Sequence, residues 1–134
     1  MYEMPQKVLF KHCDPAGIVF YPRYFEMMND CVESWFADVL EWPFEDIHKT
    51  AGVPTANIQT RFSAPSRHGE QLVLKLRVIK LGRSSLTYEM TATCNDELRF
   101  ETEATLVHVA ASGRPDLWPA PIRTKIEYDM KGQT

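Results

Sequence analysis

From Leu72 to Leu106 the chain alternates apolar and polar residues almost without a break. Leu72, Leu74, Leu76 and Val78 alternate with Val73, Lys75 and Arg77. Leu86, Tyr88, Met90, Ala92 and Cys94 alternate with Thr87, Glu89, Thr91 and Thr93, and Leu98, Phe100, Ala104 and Leu106 continue the pattern. A period of two over this length puts every apolar side chain on one face of an extended chain, as in antiparallel strands with one buried face. The segments Leu81-Gly82-Arg83-Ser84 and Asn95-Asp96-Glu97 are short enough to join neighbouring strands directly, so the pattern predicts a meander. Ile58 to Phe62 adds a strand before it, followed by the turn-rich Ala64-Pro65-Ser66-Arg67-His68-Gly69. Met4 to Lys11 reads as a further strand at the N-terminus.

The period changes between Arg23 and about Glu41. Tyr24, Phe25, Met27, Met28, Cys31, Val32, Trp35, Phe36, Val39 and Leu40 recur at steps of three and four, with acidic and amide residues filling most of the other side. This is one long helix whose apolar stripe is wide enough to be wrapped by a sheet, with Trp35 and Phe36 as core residues. Trp42-Pro43 ends it, because the residue before a proline is pushed away from helical angles. Pro43 to Thr50 can add one or two helical turns, Pro115 to Pro121 reads as irregular, and Ile122 to Tyr128 as a last helical turn. The sum is an α+β fold: an antiparallel sheet of about five strands and one long helix, in a single domain over residues 1–134. A single layer with open edges and one outer face invites pairing with a second copy.

Composition narrows what such a domain does. At 134 residues and 44% hydrophobic the chain holds one core. A formal charge of −3, a pI near 5.8 and no run of Lys or Arg leave no nucleic-acid footprint. Cys13, Cys31 and Cys94 are an odd number without CxxC spacing, which fits neither a disulfide framework nor a zinc site and suits a reducing cytoplasm. Residues 1–11 lack the pattern of a signal peptide, and no apolar run approaches the roughly 20 residues that span a bilayer. The expectation is a cytoplasmic protein with no membrane or nucleic-acid partner.

The chemistry is concentrated in His12-Cys13-Asp14-Pro15-Ala16-Gly17-Ile18-Val19-Phe20-Tyr21-Pro22-Arg23-Tyr24. Asp-Pro and Ala-Gly are turn formers, and Pro22 suits the first position of a helix, where its missing N–H is no loss. Tyr21 before it has no side chain that can cap. The first N–H groups of the helix are therefore expected unpaired and partially positive. A carboxylate beside a bare helix N-terminus supplies a nucleophile or base and an oxyanion hole, a geometry suited to attack on a carbonyl. Tyr24, one turn into the helix, is either core or the wall of a pocket there.

With the helix and the Leu81-Gly82-Arg83-Ser84-Ser85 turn, this run resembles the hotdog-fold acyl-CoA thioesterases, in the branch named for 4-hydroxybenzoyl-CoA thioesterase. The resemblance covers nearly the whole chain. It implies a sheet wrapped around the helix and subunits paired, as a dimer or dimer of dimers, with active sites at their interface. It implies that Asp14 attacks the thioester carbonyl or activates a water, that the Tyr21 backbone N–H is the oxyanion donor, and that Tyr24 can line the acyl pocket. It places Arg83 and Ser84 at the turn where the family meets the nucleotide phosphates, with Arg67 a lesser candidate. Coenzyme A then enters as part of an aromatic or short- to medium-chain acyl-CoA substrate, with no separate cofactor and no metal.

Other readings remain open at this level. A hotdog hydratase places a His about five residues after its Asp, where this chain has Val19, and the dehydratase branch needs a His and Glu pair that does not stand out near the helix start. A non-catalytic acyl-CoA-binding module would leave Asp14 idle. His12 and His108 lie in strand patterns and read as packed or edge residues, His48 and His68 as solvent-facing. No His, Cys and acidic residues share metal-ligand spacing. Cys13 next to Asp14 would face the opposite way in an extended chain.

Overall fold

The computed structural model describes residues 1–132. Strands β1 (Tyr2–Lys7), β3 (Thr55–Phe62), β4 (Gln71–Leu81), β5 (Ser85–Cys94) and β6 (Glu97–Val107) form one sheet in the order β1-β4-β5-β6-β3. Every neighbouring pair in it is antiparallel. Two short strands, β2 (Ala51–Gly52) and β7 (Val109–Ala110), pair separately. The alternation seen in the sequence is the inner face of this sheet. Leu72, Leu74, Leu76 and Val78 of β4, Leu86, Tyr88, Met90, Ala92 and Cys94 of β5, and Phe100, Ala104 and Leu106 of β6 are all buried. Helix α1 (Pro22–Asp38) covers this face, burying Tyr24, Met27, Met28, Cys31, Val32, Trp35 and Phe36 at steps of three and four. Burying each of Met27, Met28, Val32 and Phe36 contributes about 1.5–3 kcal/mol of transfer free energy. The helix stops at Asp38, three residues short of the expected end, and Glu41 at φ +53° turns the chain toward α2 (Phe44–Ile47).

Two elements differ from expectation. The first strand ends at Lys7 rather than Lys11: its partner β4 begins at Gln71 opposite Lys7, and past it only Val8 stays paired, with the Glu70 carbonyl and the Gly69 N–H, both at 2.8 Å. The chain turns instead through a short 3-10 segment, Phe10–His12, closed by the Leu9 N–H donating to His12 Nδ1 at 2.9 Å. At the other end the expected single turn is a full helix, α3 (Ala120–Gly132). Its buried Ile122 and Ile126, four residues apart, join the main core. Polar contacts dock it: Trp35 Nε1 donates to Asp129 Oδ2 at 3.2 Å and Lys125 Nζ to the Leu40 carbonyl at 3.2 Å. Helix α3 thus adds to the one long helix that the sequence predicts, packing on β4.

Strand β3 is an edge. It pairs with β6 on one side, and seven of its eight residues are exposed, including Ile58 and Phe62. Across β5 and β6 the register shifts once: Ala92 faces Phe100, but Thr93 faces Leu98. Arg99 is the extra residue of that bulge. It is buried next to buried Phe100, where strict alternation would have pointed it outward.

Candidate active site

Residues 12–20 fold back on themselves. The Phe20 N–H donates to the His12 carbonyl and the Asp14 N–H to the Ile18 carbonyl, both at 2.9 Å, with Cys13 and Val19 bridged between them. The tip closes through the Gly17 N–H to the Asp14 carbonyl at 2.9 Å, with Gly17 at φ +80°, a conformation that favours glycine. Asp14 Oδ1 accepts the Ala16 N–H at 2.9 Å, so one carboxylate oxygen fixes the turn. The other, Oδ2, takes no hydrogen bond among the described residues. The half-buried Asp14 thus has one oxygen committed and one open.

The hairpin delivers the chain into α1 at Tyr21, which no side chain caps, with Pro22 opening the helix. The expectation of several bare N–H groups needs correction. The Arg23 N–H reaches the Phe20 carbonyl at 2.8 Å and the Tyr24 N–H the Tyr21 carbonyl at 3.1 Å, tightening the first turn. Pro22 has none to offer. The Tyr21 N–H is left, and among the described residues nothing accepts it.

Tyr24 is a core residue that also reaches a cleft. It is buried, its hydroxyl donates to Ser66 Oγ at 2.8 Å, and burial raises its phenol pKa. Its ring stacks on Phe62 at 5.7 Å and meets Phe100 edge-on at 5.1 Å. With Val19, Tyr21 and Phe62 it also lines a cleft of about 290 Å³. A separate, larger cleft of about 700 Å³ is lined by Phe25, Met28 and Val32 of α1 with Ile58 and Leu106 among others. Phe62, which lines the smaller cleft, is in ring contact with Tyr21, Tyr24 and Phe25.

Arg83 and Ser84 lie elsewhere. They occupy the β4–β5 turn, while the Asp14 hairpin rests against the loop before β4. The eleven residues of β4 separate the two, roughly 30 Å at an ordinary strand rise. The turn's backbone is firmly held. Arg123 donates to the Gly82 carbonyl at 2.9 Å, the Trp118 N–H to that of Arg83 at 3.1 Å, and the His108 N–H to that of Ser84 at 2.7 Å. The Arg83 side chain is exposed, as is that of Arg67.

His12 is packed: burial lowers its pKa, and its Nδ1 is occupied by Leu9 rather than Asp14. His108 is buried against Trp118 at 5.3 Å, and its Nδ1 donates to the Asp116 carbonyl. His48 and His68 are exposed. Burial pushes the Cys31 thiol up to about 12, leaving it inert. Among the described residues no cluster of His, Cys, Asp and Glu could hold a metal, and no helix is long and apolar enough to cross a membrane.

What the sequence reading missed is the support beneath the hairpin. The Val19 N–H donates to the Ser66 carbonyl at 2.9 Å and the His68 N–H to that of Gly17 at 3.2 Å, so the hairpin rests on the loop 64–70. Arg99 grips that loop from the β6 bulge. Its guanidinium reaches Glu70 Oε1 at 2.7 Å and Oε2 at 3.2 Å, the Pro65 carbonyl at 3.0 Å and Ser66 Oγ at 3.3 Å. Nε lies 2.8 Å from Glu97 Oε1, an ion pair without hydrogen-bond alignment. Hydrogen bonds from Arg99 and from the Arg67 N–H hold the Glu70 carboxyl down to about 2.

A long helix covered by a five-stranded antiparallel sheet is the hotdog arrangement. The chain belongs to the thioesterase-like superfamily, whose family model matches residues 8–126. Among solved structures it is similar to the 1,4-dihydroxy-2-naphthoyl-CoA thioesterase of Synechocystis, with 18% identity, TM-score 0.86, and 93% of this chain and 94% of that one covered. It is similar to a gentisyl-coenzyme A thioesterase at 21% identity, TM-score 0.84, covering 91% and 99%. It is also similar to a Staphylococcus aureus protein solved in complex with CoA, at 17% identity, TM-score 0.91, covering 98% and 85%. By sequence, no curated protein matches the chain.

Proposed function

We propose that this thioester hydrolase cleaves an aromatic or short- to medium-chain acyl-CoA to the free acid and coenzyme A, with Asp14 as nucleophile or general base. The observation that carries the reading is the pairing of an open carboxylate oxygen on Asp14 with an unpaired backbone N–H on Tyr21, joined by one short hairpin. Either Asp14 adds to the thioester carbonyl or it takes a proton from a water that adds. The carbonyl oxygen becomes an oxyanion in both cases, and the Tyr21 N–H at the positive end of α1 stabilises it. Collapse of the adduct breaks the C–S bond and releases the coenzyme thiolate. If Asp14 itself has added, water then cleaves the resulting anhydride to regenerate the carboxylate. The cleft bounded by Tyr24, Val19 and Phe62 receives the acyl group.

The test is a panel of acyl-CoA esters with a thiol reagent. Release of free thiol, ranked by kcat/KM, supports hydrolysis and identifies the acyl class. Tight binding without turnover would favour an acyl-CoA-binding module, and consumption of an unsaturated acyl-CoA without thiol release a hydratase.

The position of Arg83 bears on assembly. One chain holds it at the far end of β4 from Asp14, so both meet one substrate most simply when Arg83 comes from another copy. The exposed β3 edge with Ile58 and Phe62 offers a surface for that copy. The working unit is therefore a homodimer or a dimer of dimers with sites at the interface. Light scattering is expected to give at least twice 15.5 kDa at micromolar concentration, and an active monomer would sink the proposal. Within that unit Arg83, with Ser84 beside it, holds the coenzyme phosphates, for which the guanidinium fork is suited. Arg83→Ala is expected to raise KM about ten-fold with kcat nearly unchanged, as for an exposed, salt-screened contact. A truncated thioester lacking the nucleotide should not feel the change. Equal loss on both substrates would assign Arg83 to fold or interface instead.

A further inference from the structure

We infer that Arg99, paired with Glu70, is a positioning residue for the hydrolysis: from the bulge in β6 it sets the placement of the Asp14 carboxylate relative to the Tyr21 N–H. The inference rests on the proposed role of Asp14. Two branches leave Arg99. One runs through Pro65, Ser66 and Glu70 to the loop 64–70, on which the Asp14 hairpin lies through the Val19 and His68 amides. The other runs through Ser66 Oγ to the Tyr24 hydroxyl, on the first turn of α1 beside Tyr21. The two halves of the proposed reaction centre thus share one buried anchor.

Stability alone does not account for this arrangement. An ion pair with Arg99 buried and Glu70 partly exposed is weak support for a fold, since an apolar side chain of similar volume often serves as well. An apolar residue at 99 could fill the space but could not hold a carbonyl, a hydroxyl and both oxygens of a carboxylate at once. That geometry needs the planar fork of arginine, which lysine does not reproduce. The bulge points the same way. It breaks the alternation of β6 at one residue, and the residue it turns inward is the one that grips the loop. Misplacement of a reacting group by about 1 Å costs on the order of 10²-fold in rate, so a clamp one loop removed from the chemistry has leverage on kcat.

The experiment compares wild type, Arg99→Lys, Ser66→Ala and Asp14→Asn on the best acyl-CoA ester, with amide hydrogen exchange on each folded protein. Arg99→Lys is expected to lose roughly 10- to 100-fold in kcat with KM within about two-fold of wild type. Ser66→Ala should lose less in the same sense, and a protein carrying both Arg99→Lys and Ser66→Ala less than the product of the two losses, because the residues belong to one network. Exchange at the Val19 and His68 amides should quicken while the amides of central β5 stay as protected as before. The inference fails if folded Arg99→Lys keeps wild-type kcat, if KM rises in step with the loss, or if exchange quickens throughout the sheet. Should Arg99→Lys not fold, Ser66→Ala and Glu70→Gln decide by the same readouts. An Asp14→Asn protein that still turns over would overturn the role of Asp14, and the exchange pattern would still judge the clamp by itself.

Discussion

Asp14→Asn is expected to lose about 10³-fold or more in kcat while the protein stays folded and KM changes little, the scale seen when a nucleophile or base is removed. The expectation of an intact fold comes from the hairpin itself. Only Oδ1 of Asp14 has a structural task, accepting the Ala16 N–H, and an amide oxygen performs it equally well. The open Oδ2 becomes an NH2 group, which neither adds to a carbonyl nor accepts a proton. Thiol release from the best acyl-CoA ester, measured beside a circular dichroism spectrum, separates the two effects. Turnover within a few-fold of wild type would remove Asp14 from the mechanism, whatever its position.

Much of this arrangement is legible in the sequence. The strands β4 to β6 bury one face only, so the fold wrote itself into Leu72 to Leu106 as a period of two, and α1 wrote itself as steps of three and four. Pro22 after an uncapped Tyr21 marked the start of α1 to the residue. The identity of the open N–H came from the family resemblance. Backbone geometry supports it, because the tightened first turn uses up the Arg23 and Tyr24 amides.

What stayed hidden depends on pairing rather than on pattern. The first strand looked longer than it is because nothing in Val8 to Lys11 reveals where β4 begins. Helix α3 looked like one turn because its apolar face is thin: Ile122 and Ile126 are buried, and much of its docking is polar, through Lys125, Asp129 and Arg123. Arg99 sits between Leu98 and Phe100 in an alternating run, so period two assigns it to solvent. A bulge inserts a single residue without changing the composition around it, and only the register of β5 against β6 exposes it. Arg83 lies in a short strand-to-strand turn, as the sequence indicates, yet its distance from Asp14 along β4 emerges only when the strands are assembled.

Phe100→Ala is expected to destabilise the protein by about 3–5 kcal/mol, the range for truncating a fully buried aromatic side chain. Phe100 is wholly buried where three elements meet. It faces Ala92 on β5 and Phe62 on β3 in the sheet, and its ring meets Tyr24 of α1 edge-on at 5.1 Å. Neighbours fixed by strand pairing cannot collapse into the space that the ring leaves, so the cavity persists. Against a typical domain stability of roughly 5–15 kcal/mol, such a loss brings folding close to balance at 25 °C. Phe100→Leu keeps most of the volume and should lose less than about 1.5 kcal/mol. Urea unfolding checks both: the midpoint should fall steeply for Ala and slightly for Leu, with the m-value unchanged if the denatured state is unaffected. Because Tyr24 loses its edge contact, Phe100→Ala should also lower kcat at temperatures where it remains folded. A loss in stability below about 1 kcal/mol would mean that the sheet yields at this point. The packing of α1 against the start of β6 would then not be what holds the helix N-terminus in place.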